Sequence, residues 1–321
     1  MGFAIRSGLI VLGTSLALAL SPVGADALAA PKKKVSITKK HHVASKARHG
    51  SPSHSAALAD PPGTAEDVRG VGIQSASASV VDQNSGTVLY EKNADSVVPI
   101  ASITKLMTAM VVLDTQPDLD AVLMITDEDV DVLKGTHSHL RVGTQLSREN
   151  MLRLALMSSE NRAAAALSRY YPDGREGFVA AMNRKATELG LNDTHFLDPT
   201  GLTASNVSNA RDLTRMVAAA YQYPLIRSYT TTADYTVSLA GRPRTFHNTN
   251  RLVSSSDWEI GLSKTGYINE AGKCLVMQAW LNSRPTIIVL LDSWGRLTRI
   301  GDAKRIRRWM ESASLPVRIA G

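Results

Sequence analysis

The sequence predicts an α+β fold in which both ends of the ordered chain supply one antiparallel sheet, with a helical stretch inserted between them. Three observations carry that expectation: a strand hairpin near residue 77, an alanine-rich helical middle, and a return to strands before a last helix. Ser77–Asp82 and Thr87–Lys92 are β-like runs around Asn84-Ser85-Gly86, a hairpin signal. Pro99–Leu113 (PIASITKLMTAMVVL) reads as an apolar helix with proline near its start. Asp127 to Tyr221 is mostly helical by pattern. Tyr235–Leu239, Gly261–Tyr267, Lys273–Leu281 and Thr286–Asp292 follow as strands, and Asp302–Met310 as a basic closing helix.

A chain of 321 residues with 44% apolar content buries a substantial core, which excludes disorder throughout. Its one cysteine, Cys274, excludes an intramolecular disulfide framework and a thiolate-rich metal site. The apolar neighbours of Cys274 make it a buried strand thiol. The net charge of +7 is concentrated in a tail. Residues 31–59 hold Lys32, Lys33, Lys34, Lys39, Lys40, Lys46 and Arg48 and no acid, so the body is nearly neutral. Arg6 precedes an uncharged apolar run from Gly8 to Leu20 and then small residues, the pattern of a signal peptide over residues 1–29. That run is too short to span a membrane, which takes roughly 20 apolar residues. Residues 30–69 are expected to be a disordered basic linker, and residues 70–321 the folded domain. An exported protein follows, in the periplasm, at most peripheral to a membrane and without a nucleic-acid partner.

Ser102-Ile103-Thr104-Lys105 sets a hydroxyl and an amine three residues apart, so both side chains share one helix face. A nucleophilic serine needs an adjacent base, and a lysine kept neutral by desolvation or a neighbouring cation serves. The tetrapeptide alone is a weak signal, because Ser36-Ile37-Thr38-Lys39 repeats it within the tail. Two later motifs strengthen it. Ser159-Glu160-Asn161 sits between apolar helical segments, and Lys264-Thr265-Gly266 lies in a strand. Acyl transfer to serine requires a nucleophile, a base, a proton path to the leaving amine and an anchor for the substrate carboxylate. Ser159 is suited to pass the proton and Asn161 to bond a peptide amide. Lys264 and Thr265 are suited to bind a carboxylate, and Lys264 also to depress the pKa of Lys105. Gly266 lets the strand backbone approach the substrate, and the N–H groups of Ser102 and Tyr267 are candidates for an oxyanion hole.

In this order the motifs resemble those of the low-molecular-mass penicillin-binding proteins of the D-alanyl-D-alanine peptidase family, and most of all its small periplasmic endopeptidases. The likeness runs from about Ser77 to Trp309. It includes Leu156–Ala164 (LMSSENRAA), Met182–Leu191 (MNRKATELGL), Asp198–Leu202 (DPTGL), Asn248-Thr249-Asn250, Ser263–Tyr267 (SKTGY) and Ala271–Met277 (AGKCLVM). The resemblance implies a five-stranded antiparallel sheet flanked by helices, three layers deep, with an inserted all-helical lobe and the site between them. It also implies Ser102 as acyl-enzyme nucleophile, Lys105 as proton acceptor, Ser159 and Asn161 as second-motif residues, and Lys264 and Thr265 as substrate binders. No cofactor or metal is implied. The implied substrate is peptidoglycan, with β-lactams as covalent inhibitors. The chain from Gly266 to residue 321 has no room for a further β-domain, which favours an endopeptidase over a carboxypeptidase.

Competing classes find less support. A β-lactamase needs a base that activates water for deacylation, and Glu188-Leu189-Gly190-Leu191-Asn192 is the one tempting candidate. It falls within the peptidase-like stretch, where Glu188 reads as the exposed face of a helix. A zinc hydrolase is prompted by His137-Ser138-His139, but a third ligand and an H-E-x-x-H motif are missing. A catalytically dead wall-binding protein need not keep Lys105 or Ser159. His247 and Asn248 to Asn250 fit either a cleft lining or a turn. Met107 and Met110 are expected in the core.

Overall fold

The run Ile287 to Leu291 alternates between two cores, which makes its strand the middle of a layered structure. The computed structural model describes residues 70–312; the expected signal peptide and basic linker lie outside the described residues. The sheet comprises β1 (Ser77–Asp82), β2 (Val88–Lys92), β3 (Glu259–Ile268), β4 (Gly272–Leu281) and β5 (Arg284–Ser293). Its order is β2-β1-β5-β4-β3 with every neighbour antiparallel, so β3 is an edge strand. The helices are α1 (Thr104–Asp114), α2 (Arg148–Met157), α3 (Asn161–Arg169), α4 (Gly174–Glu188), α5 (Ala210–Ala220), α6 (Pro224–Thr230) and α7 (Thr298–Ser312). Ile287, Val289 and Leu291 pack toward the core of α1 to α6, whereas Ile288 and Leu290 pack with Ala303, Ile306 and Met310 of α7. This is the three-layer α+β arrangement with five antiparallel strands.

Ends distant in sequence close the sheet. Asp302 of α7 accepts hydrogen bonds from the amides of Gln74 (3.0 Å) and Ser75 (2.8 Å) and from the Ser75 hydroxyl. α1 is buried over nearly its whole length, with Met107 and Met110 fully inside and Thr104, Lys105 and Thr108 among its buried polar residues.

Three local expectations need correction. The helix expected from Pro99 begins at Thr104: Val98–Pro99 pairs with Val207–Ser208, and Ala101 takes a left-handed φ of 47° that interrupts the helical path. Ser102 therefore sits in the 3₁₀ turn Ala101–Ile103 ahead of α1. With three residues per turn, positions i and i+3 still eclipse, so the Ser102–Lys105 pairing survives the change. Asp234–Leu239 is a strand, but it joins Arg242–His247 in a separate hairpin rather than the main sheet. Between residues 127 and 147 the expected helix gives way to a short 3₁₀ turn, loops and the strand Gln145–Ser147, which pairs with Val122–Met124 just before this stretch.

Candidate active site

Lys105 is 0% exposed, yet each donor position of its amine has a partner. Nζ lies 2.8 Å from Ser102 Oγ, 2.7 Å from Asn161 Oδ1 and 2.7 Å from the carbonyl of Thr200. Asn161 Oδ1 and the Thr200 carbonyl only accept. A neutral amine thus directs its two N–H bonds at them, and its lone pair is left for the hydroxyl of Ser102. Burial pulls the Lys105 pKa down to about 7 from its ordinary 10.5, opposed by the charges of Asp198 and Glu160.

The second motif lies at the corner between α2 and α3. The amides of Ser158 and Glu160 both bond to the Leu154 carbonyl, closing α2, and Ser159 adopts a left-handed φ of 62°. Asn161 opens α3, and its Nδ2 donates to Thr136 Oγ1 at 3.0 Å. On the opposite wall, β3 brings in the third motif. Lys264 is 1% exposed; its Nζ donates to Ser159 Oγ at 2.8 Å and to the Thr265 carbonyl at 3.1 Å. Thr265 Oγ1 donates to Thr249 Oγ1 at 2.7 Å. Two serine–lysine pairs, Ser102 with Lys105 and Ser159 with Lys264, thus stand between a helical corner and a sheet edge. Burial first, then the charges of Lys105 and Arg299, hold Lys264 well below the usual lysine range.

The geometry changes two expectations and keeps the mutual effect of the two lysines. Burial leads the depression of both amines, and the like charges of Lys105 and Lys264 disfavour each other's protonation. Both ends of the Asn161 amide are engaged, so its first effect is to orient Lys105. The close approach at Gly266 is to the serine turn. A Cβ there would lie 2.8 Å from the Ile100 carbonyl oxygen and 3.2 Å from the Ser102 amide nitrogen. Glycine lets the sheet edge press against the turn that carries Ser102. Tyr267 follows it, 54% exposed, with Lys273 Nζ 4.4 Å from its ring centre.

The loop 198–206 braces the site. Asp198 Oδ1 accepts from the Thr200 hydroxyl (2.6 Å) and the Gly201 amide (2.7 Å), and Oδ2 from the Thr203 amide (3.0 Å). Asn206, fully buried, bonds Thr104 Oγ1 at 3.1 Å and the Asp198 carbonyl at 2.8 Å. Gly201 has φ of 79°, and a Cβ on it would overlap the Ala101 carbonyl, so this loop is fitted to the serine turn. Asp-Pro-Thr-Gly is a turn signal in the sequence, but nothing there says what the turn meets. Asp198 is a positioning residue, and its charge raises the Lys105 pKa. Asp198→Asn is therefore expected to slow acylation roughly 10- to 100-fold by loosening the Thr200 carbonyl. It should also move the acid limb of the rate–pH profile to lower pH, which stopped-flow measurement checks.

The remaining histidines and carboxylates lie elsewhere or act indirectly. Ser138 donates to Glu160 Oε2 at 2.6 Å, and His139 sits against Arg244 and the Phe246 ring. Among the described residues no group of three His, Cys, Asp or Glu side chains is arranged to hold a metal. Glu188 is exposed at the end of α4. His247 pairs with Asp234 on the exposed hairpin, while Thr249 touches Thr265. Cys274 is buried, with its thiol pushed up to about 11 by desolvation.

A layered fold whose sheet edge faces a helical corner, with two serine–lysine pairs between them, defines a serine-type peptidase. The chain belongs to the D-alanyl-D-alanine carboxypeptidase family, whose pattern matches residues 63–294. It is 52% identical over 245 residues to the D-alanyl-D-alanine endopeptidase of Pseudomonas aeruginosa, covering 76% of this chain and 79% of that one. It is 47% identical to the enzyme of the same name from Escherichia coli, with the same coverage. Its fold resembles the crystal structure of the Streptomyces K15 DD-transpeptidase, with a TM-score of 0.70 and 32% identity over 75% of this chain and 98% of that one.

Proposed function

We propose that the protein is a periplasmic serine D,D-endopeptidase that hydrolyses D-alanyl–diaminopimelate cross-links in peptidoglycan through an acyl-enzyme on Ser102. The observation that carries the reading is the Lys105 amine, buried and directed at Ser102 by Asn161 and Thr200. The endopeptidase preference follows the names of the relatives at 52% and 47% identity.

In this mechanism the substrate lies along the open edge of β3, whose unpaired backbone groups accept a further strand. Lys105 takes the Ser102 proton as Oγ attacks the carbonyl carbon of the scissile D-alanine. The N–H groups of Ser102 and Tyr267 stabilise the resulting oxyanion. Collapse breaks the carbon–nitrogen bond, and the proton passes from Lys105 through Ser159 to the leaving amine. Lys264 and Thr265 hold the carboxylate beside that amine. Its negative charge favours protonated Lys264 and offsets the burial that depresses the lysine's pKa. Water then hydrolyses the ester and restores Ser102. β-Lactams acylate the same hydroxyl. Among the described residues no helix is long and apolar enough to cross a membrane.

Incubating the purified protein with cross-linked dimeric muropeptides and with pentapeptide monomers tests the preference. Faster conversion of dimer to monomer is expected. Release of D-alanine from pentapeptides as the dominant reaction would make the protein a carboxypeptidase instead.

A further inference from the structure

The two walls of the cleft meet a second time, away from the reacting groups. Lys134 Nζ donates to Glu270 Oε1 at 2.5 Å, with both side chains open to solvent (29% and 44% exposed). Each partner is fastened to the site. Asp131 accepts from the amides of Leu133 (2.8 Å) and Lys134 (3.0 Å) and from the Thr136 hydroxyl (2.7 Å), and Thr136 holds Asn161. Glu270 lies in the turn between β3 and β4, just past Tyr267, whose hydroxyl donates to Asn269 Oδ1 at 2.9 Å. An opposite-charge pair therefore stands beyond the Tyr267 end of β3, away from Lys264.

If the leaving group's carboxylate rests on Lys264 and Thr265, an acyl donor laid along β3 runs past Tyr267 toward Glu270, at about 3.3 Å per residue. An exposed ion pair is weak, so it opens readily for a ligand carrying both charges. We propose that Lys134 and Glu270 form a subsite for a zwitterionic amino-acid head on the donor stem, with ammonium and carboxylate on one carbon, as at the free end of diaminopimelate. Lys134 takes the carboxylate and Glu270 the ammonium, exchanging one mutual pair for two. A stem ending in a lone amine, or in an amidated carboxylate, leaves Lys134 without a partner. The inference rests on the acyl-enzyme reading above and adds a substrate feature to it.

Two penicillins test it, identical except at the tip of the acyl side chain: one ends in an aminocarboxylate, the other has that carboxylate amidated. The rate of adduct formation on Ser102 is followed by intact mass. The zwitterionic probe is expected to react roughly 5-fold faster at low ionic strength, the ratio falling as salt screens the exposed charges. Lys134→Met should bring the ratio to about one and Lys134→Arg keep it, while Glu270→Gln should slow both probes, since both carry the ammonium, and leave the ratio above one. Taking the ratio cancels any general change in the site. Equal rates in the native enzyme, a ratio that Lys134→Met leaves unchanged, or native rates for both probes in Glu270→Gln would overturn the subsite alone. No adduct with either probe or with benzylpenicillin would overturn the acyl-enzyme reading and the subsite together.

Discussion

Ser102→Ala is expected to lose covalent penicillin labelling and muropeptide hydrolysis by at least about 10⁴-fold, because removing the nucleophile leaves only binding and oxyanion stabilisation. Intact-mass and peptide-mass analysis after exposure to benzylpenicillin checks it. The comparison matters here because Ser159 has its own lysine, with Lys264 Nζ 2.8 Å from its hydroxyl. The two pairs differ in surroundings. Lys105 turns its remaining donors on fixed acceptors and so offers Ser102 a lone pair, whereas Lys264 lies on the wall suited to a carboxylate. An adduct that persists in Ser102→Ala and maps to Ser159 would reverse the roles assigned to them.

Lys105→Met is expected to fold and to acylate about 10³-fold more slowly, the range typical of a lost general base. In the native enzyme the acylation rate should rise with pH to a plateau, with a midpoint at about 7. Below that midpoint the amine is protonated and has no lone pair for Ser102, so the rate falls tenfold per pH unit. Stability carries the same signature. The folded pKa lies below the ordinary 10.5, so between about 7 and 10.5 the unfolded chain binds the extra proton and stability rises with pH. Lys105→Met removes this contribution, and Lys264, depressed in the same direction, supplies what remains of the slope. Denaturant titrations at pH 7 and pH 9 measure the difference. A variant with the native pH slope, or with native acylation, would remove Lys105 as the buried base.

Much of this architecture was legible beforehand because its signals are local. β1 needs only the alternation of Ser77–Asp82 and a hairpin turn after it. The apolar runs of β4 and β5 declare strands buried on both faces. The start of α1 was misplaced because proline and helix formers pointed to residue 99, while the left-handed Ala101 depends on Gly201 and Gly266 packing around it. Asp234–Leu239 was legible as a strand but not as one outside the sheet, since pairing partners are set by tertiary contacts.

The residue types and their order along the chain determined the chemistry: a hydroxyl and an amine at positions 102 and 105, a second hydroxyl at 159, a second amine at 264. Only the tertiary structure decided what surrounds each amine. Ser36-Ile37-Thr38-Lys39 spells the same four residues as Ser102-Ile103-Thr104-Lys105. Lys105 is buried, and two acceptors supplied by Asn161 and Thr200 hold its amine. Desolvation and hydrogen-bond geometry belong to the space around a side chain, and that space is filled by segments far away in sequence.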